Sequence, residues 1–397
     1  MAKRQIWHIP KLHSNENEES NPRRVTWLEL FYDLIFVVVI SQTSLRLLGI
    51  ITLDSITGFV LVFLPIWWVW LGSTMYNERF ETEGIENRLI FFIKLIPLIL
   101  LSAFSADATN SSGGLFALSF VLARGFMLLL WLRAGYHVAI FRPISNKYFV
   151  GFGLSILLFL FSIFITPPEK YYFWGIALFF DSITPFFTLK EQTKLPRMSS
   201  TKRPERFGLL IIIVLGEAFT GIVSGIKNSH LLNIWILISG FVGLLIGFSL
   251  WWIYFDFVGR RKPKNNIYSS ISWGYLHLPL SISIVATGSS LNNFISSNGA
   301  LSYGATVLFT SAIATFLIAI GLLELTLQRS NNEPTHKYLS SNLKIICGIL
   351  GFLLIPFINL FSSLLLSLIL FSLLLISMIY GFYTWFSNDV YDISEEI

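Results

Sequence analysis

Cysteine is nearly missing from this sequence: Cys347 is the only one in 397 residues, and it lies in an apolar run. That excludes a disulfide framework and a thiolate metal cluster, both of which need paired cysteines. Charge is scarce as well. Asp, Glu, Lys and Arg make up 13% of the chain, roughly half the share in an ordinary soluble domain. Long polar connections are absent too. The longest, "KEQTKLPRMSSTKRPE", leaves no room for a soluble catalytic domain. Nor is there a Gly-rich phosphate loop, a His-Glu-x-x-His helix or a Gly-x-Ser-x-Gly elbow. An intramembrane hydrolase needs a nucleophile with its base, or a metal set, and neither can be assembled here. The chain is therefore read as a non-enzyme with no cofactor and no metal site.

What is present is apolar sequence in quantity. Hydrophobic residues make up 54% of the chain, and they fall in runs near the ~20 residues that cross a bilayer core. The pattern predicts an all-α polytopic membrane protein of about twelve transmembrane helices. They are placed near 26–48, 55–76, 88–106, 115–136, 148–166, 171–189, 206–226, 231–257, 269–291, 301–326, 343–361 and 364–386. The corresponding organisation is a polar N-terminal tail (1–24), a first six-helix half (25–190), a linker (191–205), a second half (206–387) and an acidic tail (388–397). The N-terminal tail has no short apolar core followed by a small-residue cleavage site, so the first helix reads as an uncleaved anchor.

Lys and Arg fix an expected orientation, because cytoplasmic loops collect them. With the N-terminus inside, inward segments hold all of the 28 basic residues except Arg46, Lys170 and Lys227 in outward segments and Lys94 and Arg124 within spans. Both termini are then cytoplasmic. The formal net charge of +5 is a topology signal, with lipid as the expected partner and no nucleic acid. The two halves also share features in order. Glu29 of "LELFYDLIF" falls opposite Glu205 of "PERFGLLII"; "WWVW" at 67 matches "WWIY" at 251; and "KLIPL" at Lys94 matches "HLPL" at His277. An even number of spans per half makes this a parallel repeat.

A charge at mid-bilayer costs about 2.5–3.5 kcal/mol on insertion scales, so each one calls for a partner, a wet cavity or a function. Glu29 and Asp33 stand four apart in "RRVTWLELFYDLIFVVVISQ" and share one helix face. Thr26 precedes Glu29 by three residues, a capping-box pattern that gives Glu29 a structural reading. Asp33 is a turn deeper. Either it pairs with Arg124 or Lys94, or it binds a cation or proton. Glu217 in "IVLGEAFTG" lies between small residues that leave space for water or solute. Arg124 in "VLARGFM" calls for an acidic partner, Glu217 or Asp33, with anion binding as the alternative. His277 in "YLHLPL" is either a proton-exchanging group or a satisfied helix-to-helix hydrogen bonder. Asp181 precedes Pro185 and suits a polar pocket at a kink. Glu324 near the inner end of its span is expected to reach water, and Asp256 to form a solvated pair with Arg260 and Arg261. The loop "YNERFETEGIENR" reads as a solvated cytoplasmic turn.

Taken together, "VTWLELFYDLIFVVVI", "WWVW" followed by "RFETEGIENR", "ERFGLLIIIVLGE", "WWIYFD" and "HLPL" resemble the bacterial low-temperature-requirement A (LtrA) proteins, in order from about Arg24 to Glu324. The resemblance implies a multi-pass protein of the bacterial plasma membrane. Its motifs mark Glu29, Asp33, Arg79, Arg88, Arg124, Glu205, Glu217 and His277. A second likeness is confined to the first helix and a six-span architecture. Phe31, Tyr32 and Asp33, after Arg23 and Arg24, are similar to the opening Arg and Phe-Ser-Asp of the endolysosomal potassium channels. It departs at Tyr32, and Leu209 stands where the second half would need its Asp.

The leading functional expectation is a transporter-like protein that moves a small solute or ion along a polar pathway between its halves, past Asp33, Arg124, Glu217 and His277. Glu29, Lys94, Asp181, Glu205, Asp256 and Glu324 are expected as supporting charges. Two alternatives come from other classes. One is a homodimeric gated cation channel closed by aliphatic side chains near Val38 to Ile40. The other is a membrane scaffold or sensor whose buried charges are all structural pairs.

Overall fold

The computed structural model describes residues 8–13, 24–80, 84–229, 233–297, 301–329 and 333–388. Glu81 and Glu83 of the expected cytoplasmic turn, Arg23 and the acidic C-terminal tail lie outside the described residues. Helices make up the architecture: α1 (Trp27–Ser44), α2 (Leu53–Arg79), α3 (Ile85–Ser105), α4 (Gly113–His137), α5 (Arg142–Ser162), α6 (Glu169–Ile183), α7 (Lys202–Asn228), α8 (Ile234–Tyr254), α9 (Ile267–Ser296), α10 (Tyr303–Thr326), α11 (Lys337–Leu353) and α12 (Ser363–Asn388). Among the described residues the extended pairing consists of two isolated bridges, Leu12 with Phe80 and Pro263 with Leu327.

Among the described residues, ten helical segments are long and apolar enough to cross a membrane. The other two long helices fall short for different reasons. The α9 helix has 30 residues but carries serines at 269, 270, 272, 281, 283, 289, 290 and 296. The α11 helix offers only Tyr338–Leu353 as an apolar stretch. Local chemistry sets several starts. Thr26 and Glu29 form a reciprocal capping box at α1, which satisfies backbone donors that a helix end leaves open. Asn233 and Ser302 accept from backbone N–H groups at the starts of α8 and α10. Gly84 has φ of 111°, a left-handed value that favours glycine, just before α3.

The chain divides into two compact units. The first comprises residues 1–46 and 57–206, so it includes the first turn of α7. Here α1 packs on α3, α3 on α4, α4 on α5 and α5 on α6. An aromatic cluster around Trp131 closes one end, with Phe141 stacked at 5.5 Å and Tyr76 and Tyr148 edge-on at 5.2 and 5.3 Å. The outer face of α5 leaves Phe149, Val150, Leu157 and Phe161 exposed, the surface that a helix presents to lipid. The second unit comprises 47–56 and 207–397. Within it α9 packs on α10, α10 on α11, α11 on α12 and α8 on α12. The α7 and α9 backbones meet closely: a Cβ at Gly288 would stand 2.7 Å from the Ala218 Cα and 2.9 Å from the Glu217 carbonyl oxygen. Without side chains at such positions, two helices gain dispersion contact that lipid cannot outcompete.

Candidate functional site

Buried charge in the first unit is concentrated on α1, α2, α3 and the first turn of α7. Glu29 and Asp33 are each 1% exposed. Beyond its capping role, Glu29 accepts from Arg206 Nη1 at 2.8 Å and pairs with Lys202 Nζ at 3.0 Å. Asp33 Oδ1 accepts from Arg206 Nη2 at 3.0 Å and from the Trp70 indole at 2.9 Å, while its Oδ2 has no hydrogen-bond partner. The partner of Asp33 is thus Arg206, in place of the expected Arg124 or Lys94. Two carboxylates four residues apart face two cations four apart, Lys202 and Arg206. This matched spacing was the available sequence signal, and it was hidden because both cations read as loop charge.

Lys94 sits midway along α3, 4% exposed. Its Nζ lies 3.3 Å from Ser73 Oγ and over the rings of Phe91 and Tyr76, at 4.8 and 5.6 Å from their centroids. Among the described residues no carboxylate stands within ion-pairing distance of it. Ser73 belongs to a stripe of α2 that runs Trp70, Ser73, Thr74, Asn77, the spacing of one helix face. Thr74 Oγ1 and both amide atoms of Asn77 are buried without a hydrogen-bond partner.

Arg124 is held elsewhere in this unit. Its Nε and Nη2 donate to Asp181 Oδ1 at 3.2 and 3.0 Å, and its Cζ lies 4.1 Å from the Phe152 ring centroid. Asp181 is fully buried. The expected pairing of Arg124 with Glu217 or Asp33 is therefore replaced by Asp181, whose own expectation of a kink pocket becomes an ion pair. At the end of α2, Arg79 Nη1 donates to the Pro196 carbonyl at 2.5 Å and Glu78 Oε1 accepts from Ser199 N–H at 2.5 Å. Glu86 pairs with Arg133 at 2.6 Å. This end is a docked, largely buried junction rather than a solvated turn, although Arg88 is exposed. Glu205 is exposed and accepts from Val25 N–H at 3.3 Å.

In the second unit His277 is fully buried. Its Nδ1 is 2.7 Å from the Trp273 carbonyl oxygen and its Nε2 3.1 Å from Tyr254 Oη. A carbonyl only accepts, so Nδ1 carries a hydrogen, and in the neutral ring Nε2 accepts from the tyrosine. That makes His277 a satisfied helix-to-helix bonder. Glu217 is partly buried on α7. Glu324, expected to reach water, is 7% exposed and accepts from Ser340 at 2.9 Å and Lys344 at 3.1 Å. Asp256 is exposed and takes the Trp252 indole at 2.5 Å, whereas Arg261 turns to Glu324 and Glu333 at 3.6 and 3.3 Å. The expected Asp256–arginine pair is not formed. Asp33 and Arg124 thus belong to separate networks in the first unit, and Glu217 and His277 to the second.

Ten helices of membrane-crossing length and apolarity among the described residues, with charges buried between helices, mark a multi-pass membrane protein. The chain matches the family described as bacterial low temperature requirement A protein (LtrA) over residues 24–380, and it belongs to that family. It is 25% identical over 307 residues to an uncharacterized protein, RA0937, of Rhizobium meliloti (strain 1021), covering 69% of this chain and 70% of that one. No solved structure matches it significantly.

Proposed function

We propose that this LtrA protein is transporter-like and moves a small solute or ion across the bacterial plasma membrane, with the polar interior of the first unit as part of the pathway. The carrying observation is Lys94: a mid-helix ammonium, buried against Ser73 of α2, whose same face carries the unpartnered hydroxyl of Thr74 and amide of Asn77. A structural ion pair explains Glu29, Asp33, Lys202 and Arg206; it does not explain Lys94. Ionised groups that cost several kcal/mol to bury and have no counter-ion within reach are kept in membrane proteins where solutes pass. The proposal includes twelve spans in two repeated six-helix halves, both termini cytoplasmic, and no catalytic activity.

The channel alternative loses support at Asp33, since one of its oxygens is committed to Arg206 and Trp70. A scaffold or sensor is favoured by the closed pairs Arg124–Asp181 and Glu324–Lys344, which need no solute. Flux separates these readings. Purified protein in liposomes, given potassium, sodium, proton and chloride gradients in turn, should show slow gradient-driven movement that Lys94→Met abolishes. Large passive cation current would favour a channel. Absence of flux under every gradient would favour the scaffold.

A further inference from the structure

We propose that Lys94, with Ser73, Thr74 and Asn77, forms a binding site for a small anion inside the first unit. The inference rests on the transporter-like reading for its purpose but on separate observations for its chemistry. The connected charges of this interior are three cations, Lys94, Lys202 and Arg206, and two carboxylates, Glu29 and Asp33. Both carboxylates are already met: Glu29 by Lys202 and Arg206, at 3.0 and 2.8 Å, and Asp33 by Arg206 at 3.0 Å. The positive charge left over belongs to Lys94, whose polar contact is the single 3.3 Å approach to Ser73 Oγ. Three ammonium hydrogens face one hydroxyl.

The helix face that brings Ser73 to Lys94 carries further polar groups. Ser73, Thr74 and Asn77 lie on one face of α2 and are 0%, 2% and 1% exposed. The Thr74 hydroxyl and the Asn77 amide make no hydrogen bond, and buried polar groups in that state point to an ion or water as the missing partner. An anion is favoured over water because only an anion also balances the ammonium, whose burial unpaired is costly. The rings of Phe91 and Tyr76 flank Nζ at 4.8 and 5.6 Å, and the ion proposed for such closely packed surroundings is a small one: a halide, nitrate or short carboxylate. A cation is disfavoured by the same charge balance.

The test uses the full-length purified protein in detergent, exchanged into a buffer whose anion is the bulky gluconate. Chloride, nitrate or formate is then titrated at constant ionic strength while the melting temperature is followed by tryptophan fluorescence. The wild type should show a saturable rise with at least one small anion. Lys94→Met should melt no lower than wild type in gluconate and lose the rise entirely, because an uncompensated charge has been removed. Asn77→Leu should raise the half-saturating concentration at least tenfold. An equal rise in Lys94→Met, or no anion dependence in the wild type, would overturn the site. Should Lys94→Met fail to fold, Asn77→Leu and Ser73→Ala decide, and unchanged half-saturation in both refutes it. Binding without flux would remove the transporter reading and leave the site; flux without anion binding would do the reverse.

Discussion

Replacing Arg124 by methionine keeps most of its bulk against Phe152 and removes only the charge and its hydrogen bonds. Asp181, 0% exposed, then loses the two donors that meet its Oδ1 at 3.0 and 3.2 Å. Stripping one partner from a buried ion pair costs about 3–5 kcal/mol, since the other is left charged in a low-dielectric interior. Removing both with apolar residues of similar shape is about neutral or stabilising. The Arg124→Met/Asp181→Leu double variant should therefore recover at least ~3 kcal/mol relative to Arg124→Met alone. Unfolding by sodium dodecyl sulfate in mixed micelles, read by tryptophan fluorescence, gives the three midpoints. If the single variant is no less stable than the double, Asp181 must be reached by water, and the dry pair described here does not exist.

Three further outcomes follow from other parts of the structure. Arg206→Met strands Asp33, while Glu29 keeps Lys202 at 3.0 Å, and should cost about 3–5 kcal/mol, as for a single broken buried pair; adding Asp33→Asn should return part of that loss in the same assay, and no recovery would place Asp33 outside the pair. Gly288→Ala should destabilise by about 1–3 kcal/mol through overpacking, because its Cβ meets the α7 backbone, whereas Gly216→Ala, with nothing within 4 Å of its Cβ, should stay within about 0.5 kcal/mol. In the loop between α3 and α4, hydrogen bonds from Ser111 and Asn110 hold the Asp107 carboxyl below its ordinary value. A carboxyl lowered on folding stabilises above its unfolded value and loses that contribution as pH falls through the folded one. Wild type should thus out-melt Asp107→Asn at pH 7, with the difference vanishing in acid; a gap independent of pH would contradict it.

Local features were legible in the sequence and distant partners were not. The Thr26–Glu29 box is visible because both residues lie within one turn. The helices fall on the expected apolar runs, although α5 and α11 start several residues before the runs placed at 148 and 343, since a helix end with polar residues such as Asn146, Lys147, Ser340 and Asn342 carries no hydropathy signal. Arg124 and Asp181 both stand out as charges within spans, yet their pairing joins residues 57 positions apart, and nothing in either neighbourhood encodes it. Arg206 does not announce itself as a partner, because an arginine opening a span looks like a topology signal. Only its register with Lys202, set against Glu29 and Asp33, carried the information. Asn77 had no signal at all: a single amide in a Trp-rich helix becomes notable once its burial without partners is seen.

The most direct measurement is flux of a small anion into proteoliposomes, comparing wild type, Lys94→Met and the Arg124→Met/Asp181→Leu control. The expected result is anion movement in wild type and control and none in Lys94→Met. Equal movement in all three, or none in the wild type, would contradict a pathway through the interior of the first unit.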